Sequence, residues 1–393
     1  MIKENDGKKV LAVLFGIFVL IFMLKSNPDT EAKALFRYLG QDMSADDAVS
    51  IEKLESQYAM RLWKQPLFLD LNGAAARLLS VQGYYSRQGI YVTKDRYIVS
   101  PANQTSTDYE YEQMTAFKSF LDERGIHLLY VNEPTKYVDD SLFREEFGIE
   151  SYSNRNADLF LQRISDAGIA VIDLREKIAE EGLNVYDMFY RTDHHWTTRS
   201  GLWATRKMAE GLNEYCGYSI DTSIYDESNY SFTEWKNCWL GEQGRKVAVS
   251  YVGLDDYTEI KPKFETSYSF KTSDGLVDGT FDDFIDEEIY EAGENIYAGE
   301  SWHYSYMQRD VINKNADYGK VLLLGDSYAQ VTEPFLSLGV REVDALITRD
   351  YEGSVRDYVD AGDYDTVIVA YAQFMIGAHD VEESANSSSF TFE

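Results

Sequence analysis

Five short apolar runs constrain this chain more than any other feature. "IHLLYVN" (126–132), "IAVID" (169–173), "KVLLL" (320–324), "EVDALIT" (342–348) and "DTVIVAY" (365–371) are strand-sized and rich in branched residues. They are nearly continuous rather than alternating, the pattern of strands covered on both faces. Helical periodicity precedes the first two, in 109–124 and 155–167, and Gly125 and Gly168 mark the breaks between helix and strand. Helices also separate the last three runs. Strands alternating with helices predict an α/β fold with a parallel sheet between two helical layers.

The alternation is interrupted once. Residues 216–319 are rich in Tyr, Trp, Thr, Ser and Asp and read as an antiparallel, β-rich insertion. Inside it, Asp274 to Glu300 carries ten acidic residues and no basic one. It lacks the ligand spacing of a calcium loop and reads as a solvated face. Ahead of the alternation, 28–100 reads as a helical stalk or cap followed by short strands. Leu35, Tyr38 and Leu39, then Ile51, Leu54, Tyr58 and Leu62, recur there at helical spacing. This leaves 101–376 as the main domain, with the insertion inside it, and 377–393 as a serine-rich, flexible tail.

Lys3, Lys8 and Lys9 precede the unbroken apolar run Val10 to Leu24, which ends at Lys25. Positive charge before an apolar stretch predicts a signal anchor within 1–27, with the remaining chain outside the cell. The small-residue triplet "AKA" at 32–34 keeps a cleaved signal peptide, and hence a secreted protein, as the alternative. Cys216 and Cys238 would then lie where a disulfide persists, so a bridge between them stands beside two separate buried thiols. With 67 acidic against 37 basic residues the formal charge is −30, which repels nucleic acid and excludes it as a partner.

Chemistry concentrates at two places. In "KVLLLGDSYAQ" (320–330) a strand runs through Gly325, Asp326 and Ser327 into a helix. That puts a hydroxyl at the carboxyl edge of a parallel sheet, where the free N–H groups of a helix start can hold an oxyanion. In "RTDHHWT" (191–197) Asp193 and the histidines His194 and His195 stand before a second helix, 197–214. Each motif alone reads equally as a helix cap. A metal on Asp193, His194 and His195 is a further reading, although adjacent histidines point apart on a regular element. Together the motifs supply a nucleophile, a base and an orienting acid, each lacking what the other provides.

Segments across 58–375 resemble the DHHW proteins, relatives of the alginate O-acetylation enzymes among the SGNH hydrolase-like acyltransferases. They are "RLWKQPLFLDLN" (61–72), "YVNEPTKYV" (130–138), "RTDHHWTTRSG" (191–201), "LLLGDSYAQVTEPFL" (322–336) and "YDTVIVAYAQ" (364–373). The resemblance implies a flavodoxin-like three-layer αβα fold in circularly permuted motif order, acid and base preceding the serine. It implies Asp193 as orienting acid, His195 as base because it precedes Trp196, and Ser327 as nucleophile, with His194 as a rival base. The Ser327 backbone and Tyr328 are candidates for the oxyanion hole. Lys136, Arg191, Trp196 and His194 are candidates for substrate contact, and no metal or cofactor is called for. The implied activity is O-acetyl transfer to a cell-surface or secreted polysaccharide, supplied by a membrane-bound O-acyltransferase. A carbohydrate esterase and a non-catalytic glycan-binding scaffold are the alternatives.

Overall fold

The computed structural model describes residues 65–79, 84–85, 89–285, 310–382 and 384–393. The expected anchor, the stalk helices before residue 65 and the later part of the acidic run lie outside them. Among the described residues no helix is long and apolar enough to cross a membrane. The chain divides into two compact units, Met1–Ala75 and Ala76–Glu393. Within the first, the described residues belong to the beginning of helix α1 (Gln65–Leu78); everything below concerns the second.

The second unit begins with a three-stranded antiparallel sheet of β1 (Tyr84–Tyr85), β2 (Ile90–Val92) and β3 (Ile98–Val99). There follow α2 (Asp108–Asp122), β4 (His127–Glu133), α3 (Ser153–Asp166), β5 (Ala170–Asp173), α4 (Leu174–Glu180) and the long α5 (Thr198–Tyr215). The inserted stretch supplies β6 (Tyr230–Trp239), α6 (Glu242–Val247), β7 (Asp255–Pro262), β8 (Tyr268–Thr272), β9 (Gly275–Gly279) and β10 (Asp310–Asn313). The chain closes with β11 (Lys320–Gly325), α7 (Ala329–Leu336), β12 (Glu342–Ile347), α8 (Val355–Gly362) and β13 (Thr366–Ala372).

Eight strands form the central sheet in the order β5-β4-β13-β11-β12-β10-β8-β9. The first five are mutually parallel and correspond to the five apolar runs. The last three pair antiparallel, so part of the insertion lengthens the sheet at one edge. The rest of it folds as the ribbon of β6 and β7.

Period-two geometry explains why the parallel strands are apolar throughout. Leu129 and Val131 of β4, Val321 and Leu323 of β11, and Ile368 and Ala370 of β13 face a core built with α5 and α7. Their alternates, Leu128, Tyr130, Leu322, Leu324, Val367 and Val369, face a second core with α2, α3 and α8. Each such side chain contributes about 1.5–3 kcal/mol on full burial, so both faces are energetically committed. α5 lies very close to α7: a Cβ on Gly201 would meet Val331 Cγ1 at 2.2 Å.

Two expectations need correction. The segment 377–393 is not a loose tail: Phe390 and Phe392 are buried in the second core, 2 % and 0 % exposed. Phe392 O also accepts the Arg356 N–H, and Ser389 O accepts the Tyr371 hydroxyl. Two aromatic rings among serines are enough to anchor the segment. Nor is there a disulfide. Cys216 and Cys238 are free thiols; Cys216 packs in the α5 core, and burial pushes its thiol up to about 11.

Candidate active site

The Gly-Asp-Ser turn leaves β11 at the carboxyl edge of the parallel strands. Asp326 holds it there. One carboxylate oxygen accepts the Tyr328 N–H at 2.8 Å and the other the Ala372 N–H at 2.7 Å, tying the turn to the end of β13. Because Asp326 engages the amides around it, the Ser327 N–H donates to no acceptor among the described residues and stays open at the start of α7.

The histidine motif is positioned before α5. Thr197 caps that helix by accepting from Ser200 N, and a bridge pairs Phe189 with Trp196. The turn between them brings Asp193 and His195 over the sheet edge. His195 Nε2 lies 2.7 Å from Ser327 Oγ, and His195 Nδ1 hydrogen-bonds Asp193 Oδ1. With Nδ1–H donating to the acid, Nε2 is left to accept the serine proton. Asp193 Oδ2 accepts the Glu242 N–H at 2.7 Å, and the His195 amide reaches Oδ1. Burial alone would raise the Asp193 pKa; the His195 ring, His194 and the Glu242 amide outweigh it and hold the carboxyl well below the usual carboxylate range.

Two aromatic residues lock the motifs together. Trp196 Nε1 donates to Tyr328 O at 3.2 Å, and the Tyr328 hydroxyl donates back to His194 O at 2.5 Å. Trp196 therefore acts as a buried strut outside the cavity lining, while Tyr328 is strut and wall at once. Arg191 also faces away, donating to Leu254 O at 2.6 Å beside Asp255. Lys136 lines the cavity, yet its ammonium is spent on Ile98 O, Arg191 O and Gln243 Oε1; burial lowers its pKa to about 7. His194 stacks against His195, ring centres 3.7 Å apart, and borders the cavity without touching Ser327. Burial and the neighbouring ring bring its pKa down to about 4.

Asp193, His194 and His195 offer three ligand atoms within 4.8 Å of one another. Both Asp193 oxygens and both His195 nitrogens are already hydrogen-bonded, so a metal ion there would have to break the Asp193–His195–Ser327 line.

Other contributors carry no motif. Asp255 accepts from Arg191 N, Thr192 N and the Thr192 hydroxyl, fixing the backbone just before the acid. Gly241 packs so tightly on Asp193 that a Cβ would lie 2.6 Å from Thr192 O. Glu133, at the end of β4, is buried with neither carboxylate oxygen hydrogen-bonded. Burial, then the charge of Asp326, pushes its carboxyl well above the ordinary range. The only sequence signal for it is a charged residue closing an apolar strand.

Residues 90–234 match the family described as SGNH hydrolase-like domain, acetyltransferase AlgX. The matched stretch holds Asp193 and His195 and ends before Ser327. The alginate biosynthesis protein AlgX of Pseudomonas syringae pv. tomato is 26 % identical over 212 residues, 52 % of this chain and 42 % of that protein. The chain thus spans less than half the length of that curated relative.

Among solved structures, Bacillus cereus PatB1, seen with a sulfonyl adduct, is similar at a TM-score of 0.59 and 20 % identity, covering 77 % of this chain and 99 % of that one. A DHHW family protein from Eubacterium siraeum gives 0.55 at 15 % identity, covering 76 % and 93 %. These likenesses share the three-layer fold. A parallel sheet carrying Gly-Asp-Ser on one strand end, with an Asp-His-His-Trp turn above it and AlgX-like sequence over 90–234, makes the chain similar in fold to these proteins and, over that stretch, to the SGNH hydrolase-like domain of AlgX.

Proposed function

We propose that this protein is an O-acetyltransferase that moves an acetyl group to a hydroxyl of a polysaccharide through an acyl-serine. The carrying observation is the line Asp193–His195–Ser327, with 2.7 Å between His195 Nε2 and Ser327 Oγ. His195 takes the Ser327 proton as Oγ bonds to the acyl carbon, and the carbonyl electron pair moves onto oxygen. When that pair returns, the donor's alcohol leaves with the proton from His195. A sugar hydroxyl then gives its proton to His195 as it attacks the acyl carbon, and when the electron pair returns from oxygen, Ser327 Oγ leaves and takes that proton back from His195. Asp193 stabilises the imidazolium in each half.

Transfer to sugar, rather than to water alone, is supported by the acetyltransferase description of the family model and by the AlgX relative. Lys8 and Lys9 ahead of the apolar run Val10 to Leu24 support an anchored protein working outside the cytoplasm. There a membrane-bound O-acyltransferase would supply the acyl group.

A sulfonyl fluoride should label Ser327 in the full-length protein, and Ser327→Ala should abolish labelling and turnover at an unchanged melting temperature. Acetyl donor mixed with oligosaccharide should yield acetylated sugar. Free acetate as the sole product, whatever sugar is added, would replace transfer with hydrolysis.

A further inference from the structure

The oxyanion hole has one evident donor, the open Ser327 N–H, and one donor rarely suffices for a tetrahedral intermediate. A second donor would have to come from the cavity above Ser327, of about 600 Å³. Most of its polar side chains are committed. The Thr135 hydroxyl donates to Tyr137 O, Ser153 accepts from Gln373, and Lys136 has its three acceptors.

Gln330 differs. It lines the same cavity and is 1 % exposed; its Oε1 has no hydrogen-bond partner, and its amide nitrogen donates to no described residue. A buried amide N–H₂ without an acceptor opposes folding, so its retention points to a ligand oxygen that accepts from it. Ser327 stands in the turn just before α7 and Gln330 in the first turn of that helix, and both line the one cavity.

We propose that Gln330 is the side-chain half of the oxyanion hole, donating with the Ser327 N–H to the carbonyl oxygen of the transferred acyl group. The assignment rests on the acyl-serine reading above. As Ser327 Oγ bonds to the acyl carbon, negative charge gathers on that oxygen, and the Gln330 amide pairs with it more strongly than with the neutral carbonyl. Gln330 thus stabilises the transition state more than the bound donor.

The test uses full-length protein with p-nitrophenyl acetate as donor and a sulfonyl fluoride as label. Gln330→Met, which keeps volume, and Gln330→Glu, which keeps shape, should lower kcat by about 10²–10³-fold with little change in KM. Labelling of Ser327 should slow with them, and the melting temperature should hold or rise, because an unpaired buried amide is gone in the Met variant. If wild type turns over and Gln330→Met keeps kcat within about threefold, the Gln330 assignment falls alone. If wild-type Ser327 is neither labelled nor active, the acyl-serine reading falls and this assignment with it. Should Gln330→Met fail to fold, the isosteric Gln330→Glu decides by the same limits.

Discussion

Gly201 of α5 lies against Val331 of α7 with no room between them for a methyl group. His195 stands before the first of these helices and Ser327 before the second, so this crossing sets the distance between the two side chains.

Gly201→Val forces the helices apart or turns Val331. It is expected to destabilise the protein by about 1–3 kcal/mol through overpacking and to lower kcat/KM by about tenfold or more. Val331→Ala in the same chain should restore much of both. The check is thermal melting together with turnover in the two single variants and the double; a Gly201→Val enzyme of full activity would detach the crossing from the chemistry.

The two histidines separate by substitution. With a pKa of about 4, His194 is neutral at every pH where such an enzyme works. His194→Gln should therefore leave the shape of the kcat/KM profile between about pH 5 and pH 8 unchanged. His195→Gln should lower kcat/KM on the order of 10⁴-fold. The reverse result would make His194 the base.

Glu133 carries a pH signature in stability. Its folded-state pKa is raised far above 4.5, so above that pH the unfolded chain gives up a proton that the folded protein keeps. Stability then falls as pH rises from 4.5 toward the folded pKa. Glu133→Gln lacks this dependence, and its melting temperature relative to wild type should climb with pH across that window. A constant difference would mean that the carboxyl finds a partner.

Phe392 is wholly buried against Phe117, ring centres 4.3 Å apart. Phe392→Ala should cost about 3–5 kcal/mol, measured by urea unfolding, whereas Glu382→Ala, exposed in the same closing stretch, should be nearly silent.

The five parallel strands were legible because burial on both faces leaves continuous apolar runs that little else imitates. The pairing of Ser327 with His195 was legible for a chemical reason: a serine nucleophile without a base, and a histidine without a nucleophile, are each incomplete. What stayed hidden depends on backbone or on three-dimensional distance. The Glu242 N–H that holds Asp193 belongs to a peptide and carries no side-chain signature. Cysteine identity says nothing of separation, and Phe390 and Phe392 are too few for a periodicity. Trp196 and Arg191 beside the acid looked like substrate contacts, since proximity in sequence cannot tell which way a side chain turns.

The acid's Oδ2 accepts from Glu242, and the backbone just before it rests on Asp255; both belong to the inserted stretch, whereas His195 and Ser327 belong to the α/β frame. Exchanging or shortening 216–319 would thus displace Asp193, and the His195 ring with it, while reshaping the wall that Glu242 and Gln243 lend the cavity. The cavity wall and the support of the acid are joined in one inserted stretch. A graft intended to redirect the first must carry Gly241, Glu242 and Asp255 unchanged to preserve the second.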